Sequence, residues 1–110
     1  MGMMTDRREV LANATSPNVC AGKTAEFVQE PSVVRLFATG EAIGVFVTMV
    51  VGEEVVIDDQ EVNAQNRMPI SPDDYVCEAG AFPGDRITLR FRNSTAAALD
   101  AFSRVEVEPV

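Results

Sequence analysis

The sequence predicts an all-β protein that folds as a β-sandwich, and three observations support this. Valine and alanine dominate the apolar residues of this 110-residue chain, and a valine-rich core favours strands because the branched side chain packs well on a pleated sheet. Several segments alternate apolar and polar residues, most clearly Asp85 to Arg92. Turn signals recur about every 8–12 residues, which is typical of sandwiches and small barrels. The length fits one main domain.

The first 23 residues differ from the rest, because they are mostly polar and carry few large apolar side chains. We predict that residues 1–23 form an extended N-terminal arm, with a turn or two of helix between Arg7 and Ala14, or a disordered tail. Residues 24–110 are predicted to form the β-sandwich domain.

The first half of this domain contains a hairpin and two earlier strands. Residues 25–29 form a weak strand that ends at Pro31, because proline cannot donate to a ladder. Residues 32–38 alternate, and residues 43–51 are apolar on both faces, as expected for a central, covered strand. The turn Gly52-Glu53 then leads to a strand over residues 55–57.

The second half contains longer links, which suit Greek-key or jelly-roll crossings. Residues 58–67 are predicted to be a polar connection, 68–70 a short edge piece, 71–74 a turn, 75–79 a strand and 80–84 a loop. A half-buried strand over 85–92 is followed by an alanine-rich link over 93–100, with room for one helical turn, and a strand over 103–108. Phe102 falls on the outward parity of this last strand, so it requires a bulge or a second buried face.

The composition argues against several functions. A net charge of -8 repels a phosphate backbone, so we expect no nucleic-acid partner. The longest apolar run is far shorter than the ~20 residues that cross a bilayer, and the N-terminus has no signal-peptide core, so we expect a soluble chain made in the cytoplasm, with no membrane partner.

The chain has no histidine, which removes Ser-His-Asp and Cys-His catalysis and histidine-based metal sites. We therefore expect no enzymatic activity and no cofactor. The acidic groups Asp58-Asp59-Gln60-Glu61 and Asp73-Asp74 are interpreted as solvated turns, against the alternative of calcium binding. Cys20 and Cys77 are interpreted as reduced thiols, with a disulfide between them as the other possibility.

Two features indicate contact with another protein. Three arginines follow one face of the strand over 85–92. They would pair with Glu106 and Glu108 if the last two strands are neighbours, or contact an acidic partner surface. Apolar residues of outward parity are also available to a partner unless the sandwich buries them itself. With the arm, the predicted partner-binding residues are Arg7, Arg8, Val10, Leu11, Val33, Phe37, Arg86, Arg90, Arg92 and Phe102.

The stretch from Gly84 to Leu99 reads GDRITLRFRNSTAAAL. It resembles the C-terminal part of small head decoration proteins of tailed bacteriophages, the cement or staple proteins of the epsilon15-like type. The polar leader, the valine-rich double strand and the turn at 70–74 are also similar, so the resemblance covers residues 30–110.

The resemblance implies a jelly-roll-like sandwich on the capsid exterior of the virion, where such proteins bind the major capsid protein and cement neighbouring subunits. It implies no catalytic residues and allows a homo-oligomer, either dimer or trimer. The alternative is a receptor- or carbohydrate-binding module of a phage tail or fibre. The chain has no tryptophan and one tyrosine, Tyr75. The shortage of such rings for stacking on sugars argues against this alternative.

Overall fold

A computed structural model describes residues 2–70 and 73–110 as eight strands in two sheets. The predicted all-β, sandwich-like fold is confirmed. The strands are β1 (Gly2–Val10), β2 (Ser32–Gly40), β3 (Val45–Val51), β4 (Glu54–Glu61), β5 (Asn63–Ala64), β6 (Tyr75–Ala81), β7 (Ile87–Asn93) and β8 (Leu99–Pro109).

The larger sheet, sheet A, is built on β8 and β2. β8 pairs antiparallel with β1 on one side and with β2 on the other. On the far side of β2, β6 pairs antiparallel along most of its length, and the two residues of β5 pair parallel with its end. The core side chains of β2 are Val34, Leu36 and Ala38, as the alternation predicted.

The smaller sheet, sheet B, has the order β4-β3-β7, with both pairs antiparallel. β3 is central, as predicted, but it is not covered on both faces. Its alternate residues are buried, whereas Phe46, Thr48 and Val50 are half-buried on the outer face. The apolar side chains of β3 and β7 pack against those of sheet A to form one core between the sheets.

The segment that follows β1, residues 14–28, runs along the otherwise unpaired edge of β7. Thr15 and Phe27 form isolated bridges to Arg92 and Arg86. Between them the Ser16 amide donates to the Phe91 carbonyl at 2.7 Å, and backbone bonds of this kind recur along the edge. The segment therefore covers a strand edge that would otherwise be open to another chain.

The prediction for residues 1–23 needs correction. Residues 2–10 form a strand paired with β8 along its whole length, where a helical turn between Arg7 and Ala14 was expected. Val19 and Cys20 are buried in the core. The described part of the leader is therefore integrated in the sandwich, and the boundary at residue 23 marks no break in the fold.

Other boundaries also shift. β4 continues to Glu61 through residues predicted as a polar connection, because residues 58–61 are exposed at the sheet edge, where a strand accepts polar side chains. Residues 25–29 contribute one bridge instead of a strand, and 68–70 form none. The link 93–100 contains no helical turn. Of the predicted turn at 71–74, residues 71 and 72 lie outside the described residues.

Candidate protein-binding surface

The predicted arginine row lies on the outer face of sheet B, and two of its members are held by carboxylates of their own chain. Arg92 forms two hydrogen bonds of 2.9 Å with Asp59 across β3, and its guanidinium lies 4.4 Å from the centre of the Phe46 ring. Arg86 donates to Glu26 at 2.7 Å. The predicted pairing with Glu106 and Glu108 is wrong, because β7 and β8 lie in different sheets.

Arg90 differs from its two neighbours. It is exposed, it stands opposite Thr48 on β3, and the described residues give it no carboxylate within salt-bridge distance. Within the described part of the chain, its guanidinium donates to the Ser16 carbonyl alone, at 3.4 Å. In a chain with nearly twice as many acidic as basic residues, this cation remains available to an acidic group of another molecule.

The outer face of sheet A carries the apolar residues predicted for a partner, but the chain covers most of them itself. Phe37 and Phe102 are each 4% exposed. The Arg104 guanidinium lies 4.9 Å from the Phe37 ring centre, and that of Arg7 lies 5.5 Å from the Phe102 ring centre. Tyr75 packs edge-on against Phe37 at 5.8 Å. These rings therefore form a second buried face, which is the alternative in which the sandwich covers Phe37 and Phe102 itself.

The remaining predicted residues are scattered. Arg7 is exposed and bonded to Asp100 at 2.9 Å, while Arg8 is half-buried against Asp6 at 2.8 Å. Val10 is a core residue, which contradicts a direct partner contact in this state. Leu11 is exposed beyond the end of β1, and Val33 is half-buried on sheet A. The ten residues therefore do not form one surface.

A more compact apolar surface lies at one end of the sandwich, which we call the aromatic end. Phe82 is 72% exposed and Phe27 is 50% exposed. Their loops are joined by backbone bonds, from the Gly84 amide to the Val28 carbonyl at 2.8 Å and from the Val28 amide to the Asp85 carbonyl at 2.9 Å. The aromatic end comprises the exposed residues Phe27, Pro31, Phe82, Pro83 and Val110.

The C-terminal residue joins this surface directly, because the Val110 amide donates to the Pro31 carbonyl at 3.0 Å. An open cavity of about 190 Å³ lies beside it, lined by Gly2, Ala25, Phe27 and Val107 among others. Exposed aromatic rings next to an apolar depression are typical of surfaces that bind protein.

Sequence reasoning missed the aromatic end. The sequence pattern predicts a weak strand around Phe27 and a loop around Phe82, and it gives neither ring a role. A signal was present, because Phe82 stands between Ala81 and Pro83 in the glycine-bounded loop GAFPG, where no strand neighbour can cover it. Its proximity to Phe27 depends on loop pairing 55 residues apart and has no local signal.

Several ionisable groups have pKa values shifted by their surroundings. The pKa of Glu26 is lowered, first by the hydrogen bond from the Gly22 amide and then by Arg86. The Arg92 side chain likewise lowers the pKa of Asp59. Burial raises the thiol pKa of both Cys20 and Cys77 to about 11. The two cysteines are free in the structure, so each is a weak nucleophile near neutral pH.

The described residues contain no group of three or more acidic or cysteine side chains positioned to hold a metal ion. Across the same residues, no helix has the length and apolarity needed to span a membrane.

Comparison with known proteins gives no family assignment. No family model matches the chain, and it matches no curated protein and no solved structure.

Proposed function

We propose that the protein is a structural virion protein that binds the outer surface of a tailed-phage capsid and cements neighbouring capsid subunits. The observation that carries the protein-binding part of this proposal is the aromatic end, where Phe27 and Phe82 are exposed on loops that are joined by backbone hydrogen bonds. Leaving two phenylalanines in water is unfavourable for the free chain, and burying them against a partner recovers that free energy.

The resemblance carries the capsid part of the proposal. The stretch that resembles cement proteins, residues 84–99, forms β7 and the turn into β8. Asn93 organises this turn: its side-chain amide donates to the Val10 and Ala97 carbonyls, and its oxygen accepts from the Thr95 amide. The resembling residues therefore tie β1, β7 and β8 together, which gives the similar stretch a structural role.

The strand order supports the finer assignment of a jelly roll, which we propose as well. Residues 14–28 occupy the place of a strand beside β7, and β5 has only two residues. When that segment is counted as the second strand and β5 is omitted, the sheets have the orders 1-8-3-6 and 2-7-4-5. This is the order of an eight-stranded jelly roll, an architecture common in viral capsid domains.

Cementing requires contacts with more than one subunit, and the sandwich offers apolar residues at both ends. Leu11 and Ile43 are exposed at the end opposite to Phe82, where the loop residues Asn13 and Thr95 are joined by a backbone bond. Two weak contacts on different subunits strengthen each other, because the first raises the effective concentration of the second.

Binding to empty, expanded heads of the phage that encodes the chain tests the proposal. We expect the purified protein to co-sediment with heads in fixed stoichiometry. Phe82→Ser should weaken binding by about tenfold or more, because aromatic anchors dominate such interfaces. Its fold should be unchanged, since the ring is exposed. Leu11→Ser tests the second contact at the opposite end, and it should weaken binding less than Phe82→Ser because it removes an aliphatic side chain and not an aromatic anchor.

Failure of the wild-type chain to bind heads would refute the capsid function. A Phe82→Ser protein that binds as tightly as wild type would refute the aromatic end as the binding surface. A loss for Leu11→Ser alone would move the principal contact to the opposite end.

A further inference from the structure

The edges of the two sheets are protected to very different degrees. The edge of β7 is covered by residues 14–28. β1 carries four charged residues in a row, Asp6 to Glu9, and Lys23 donates to the Thr5 carbonyl at its edge. β4 carries four acidic residues and two irregularities in its register. Charges and bulges of this kind keep other strands from pairing with an edge.

β6 is less protected, although its pairing with β2 contains one register irregularity, opposite Leu36 and Phe37. It has seven residues, YVCEAGA, with one charged side chain. That side chain, Glu78, bonds Arg35 on the outer face of sheet A. Among the described residues β6 pairs only with β2, so its other edge presents a row of amides and carbonyls without a strand partner.

Half-buried apolar side chains accompany this edge. Val76, Cys77 and Ala79 of β6, with Val56 and Ile57 of β4, pack against the core but remain partly accessible. We call these five residues the β6 groove. An open cavity of about 220 Å³ lies at its Tyr75 end, between the two strands. A strand added to β6 would cover these side chains.

The charge around the β6 groove selects the occupant. Neither β4 nor β6 contains a basic residue, and Glu54, Asp58 and Glu61 are exposed on β4 without a salt bridge among the described residues. A second copy of this acidic chain would add like charge. A segment with apolar alternate residues and lysine or arginine at its ends matches both the groove and its rim.

We propose that the edge of β6 is a β-augmentation site that takes an extended, basic-ended segment of a partner protein as an added strand. This goes beyond the proposed function, because it concerns another face of the sandwich and does not require that the partner be a capsid protein.

Nuclear magnetic resonance titration of the ¹⁵N-labelled chain tests the site. The probe is an acetylated, amidated nonapeptide with lysine at both ends and alternating valine and threonine between them. We expect amide shifts concentrated in Tyr75–Ala81. The same peptide with alternate amides N-methylated should not bind, because it lacks ladder donors, and a glutamate-ended version should bind about tenfold more weakly.

Gly80 provides matched variants, since a Cβ built there meets nothing within 4 Å. Gly80→Val should retain peptide binding, because valine favours strands. Gly80→Lys should weaken it about tenfold, because lysine protects an edge and repels basic ends.

The proposal is overturned if the lysine-ended peptide does not bind, or if its shifts map to β1 or β4. Equal binding of the N-methylated peptide would also overturn it. Shifts of the β6 amides that grow with protein concentration and without peptide would identify a second copy as the occupant and reject a basic partner.

Discussion

Two small polar side chains, Ser16 and Asn18, take the place of backbone groups along the edge of β7. The Ser16 hydroxyl accepts from the Phe91 amide at 3.0 Å, and the Asn18 side-chain oxygen accepts from the Leu89 amide at 2.9 Å. Asn18 also donates to the Ile87 carbonyl at 3.3 Å. Both residues are buried, so these hydrogen bonds are shielded from water. If either side chain were removed, water could not readily replace it as the acceptor for the Phe91 or Leu89 amide.

Substitution of Asn18 tests these hydrogen bonds. Asn18→Ala should destabilise the fold by about 2–3 kcal/mol, because it leaves the buried Leu89 amide without its acceptor. Asn66→Ala, at an exposed position whose side chain forms no hydrogen bond with the described residues, should change stability by less than about 0.5 kcal/mol. Urea unfolding followed by circular dichroism measures both. Equal effects would mean that Asn18 does not hold the β7 edge.

Strands β1 and β7 differ in how well their sequences predict them. β7 is predictable because Ile87, Leu89 and Phe91 alternate with polar residues and all point into the core. The sequence of β1 does not show an apolar alternation, because Asp6 and Arg8 stand between the buried Met4 and Val10. These inward charges are tolerated at the sheet edge because Asp6 bonds Arg8 at 2.8 Å and lies 3.4 Å from Lys23.

The candidate surfaces were also predictable only where they depend on the pattern of a single strand. The arginine row on β7 was predictable because it depends on the alternation of one strand. Its true partners, Glu26 and Asp59, were not, since they come from elements that only the topology brings beside β7. The aromatic end depends on the pairing of two loops that are distant in sequence, so it could not be predicted from the sequence either.

Adjacent methionines test whether β1 belongs to the sandwich. Met4 is 6% exposed and Met3 is 60% exposed, although both lie on β1. Met4→Ala should cost about 2–3 kcal/mol through lost burial and a cavity, whereas Met3→Ala should cost less than about 0.5 kcal/mol. Thermal unfolding of the two variants separates these outcomes. If neither substitution lowers the melting temperature, residues 2–10 behave as a detached arm after all.

Net charge and ion pairing determine how the stability of the folded protein depends on pH. Glu26 and Asp59 have pKa values below their ordinary values of 4.5 and 3.8 in the folded chain. Each therefore stabilises the fold above its ordinary pKa, and that contribution is lost as pH falls through this value towards the lowered one.

We expect the melting temperature of the wild-type chain to fall between pH 5 and pH 3. The Glu26→Gln, Asp59→Asn double variant should lose less over the same interval, because its amides do not titrate. Asp59 is exposed and Glu26 is half-buried, so the Asp59 part of the difference should shrink most in 1 M salt. Calorimetry at several pH values measures it. A double variant as acid-sensitive as wild type would assign the loss to other carboxylates.

The pairing of β1 with β8 has a consequence for biosynthesis. Along the chain, 89 positions separate Val10 from its partner Leu99, so a ribosome working at about 5–20 residues per second delivers β8 several seconds after β1. β2 also pairs with β8, and this pairing cannot form before β8 has been synthesised. Sheet A can close only once β8 has emerged, and until then the nascent chain holds two strands that chaperones or other nascent chains can engage.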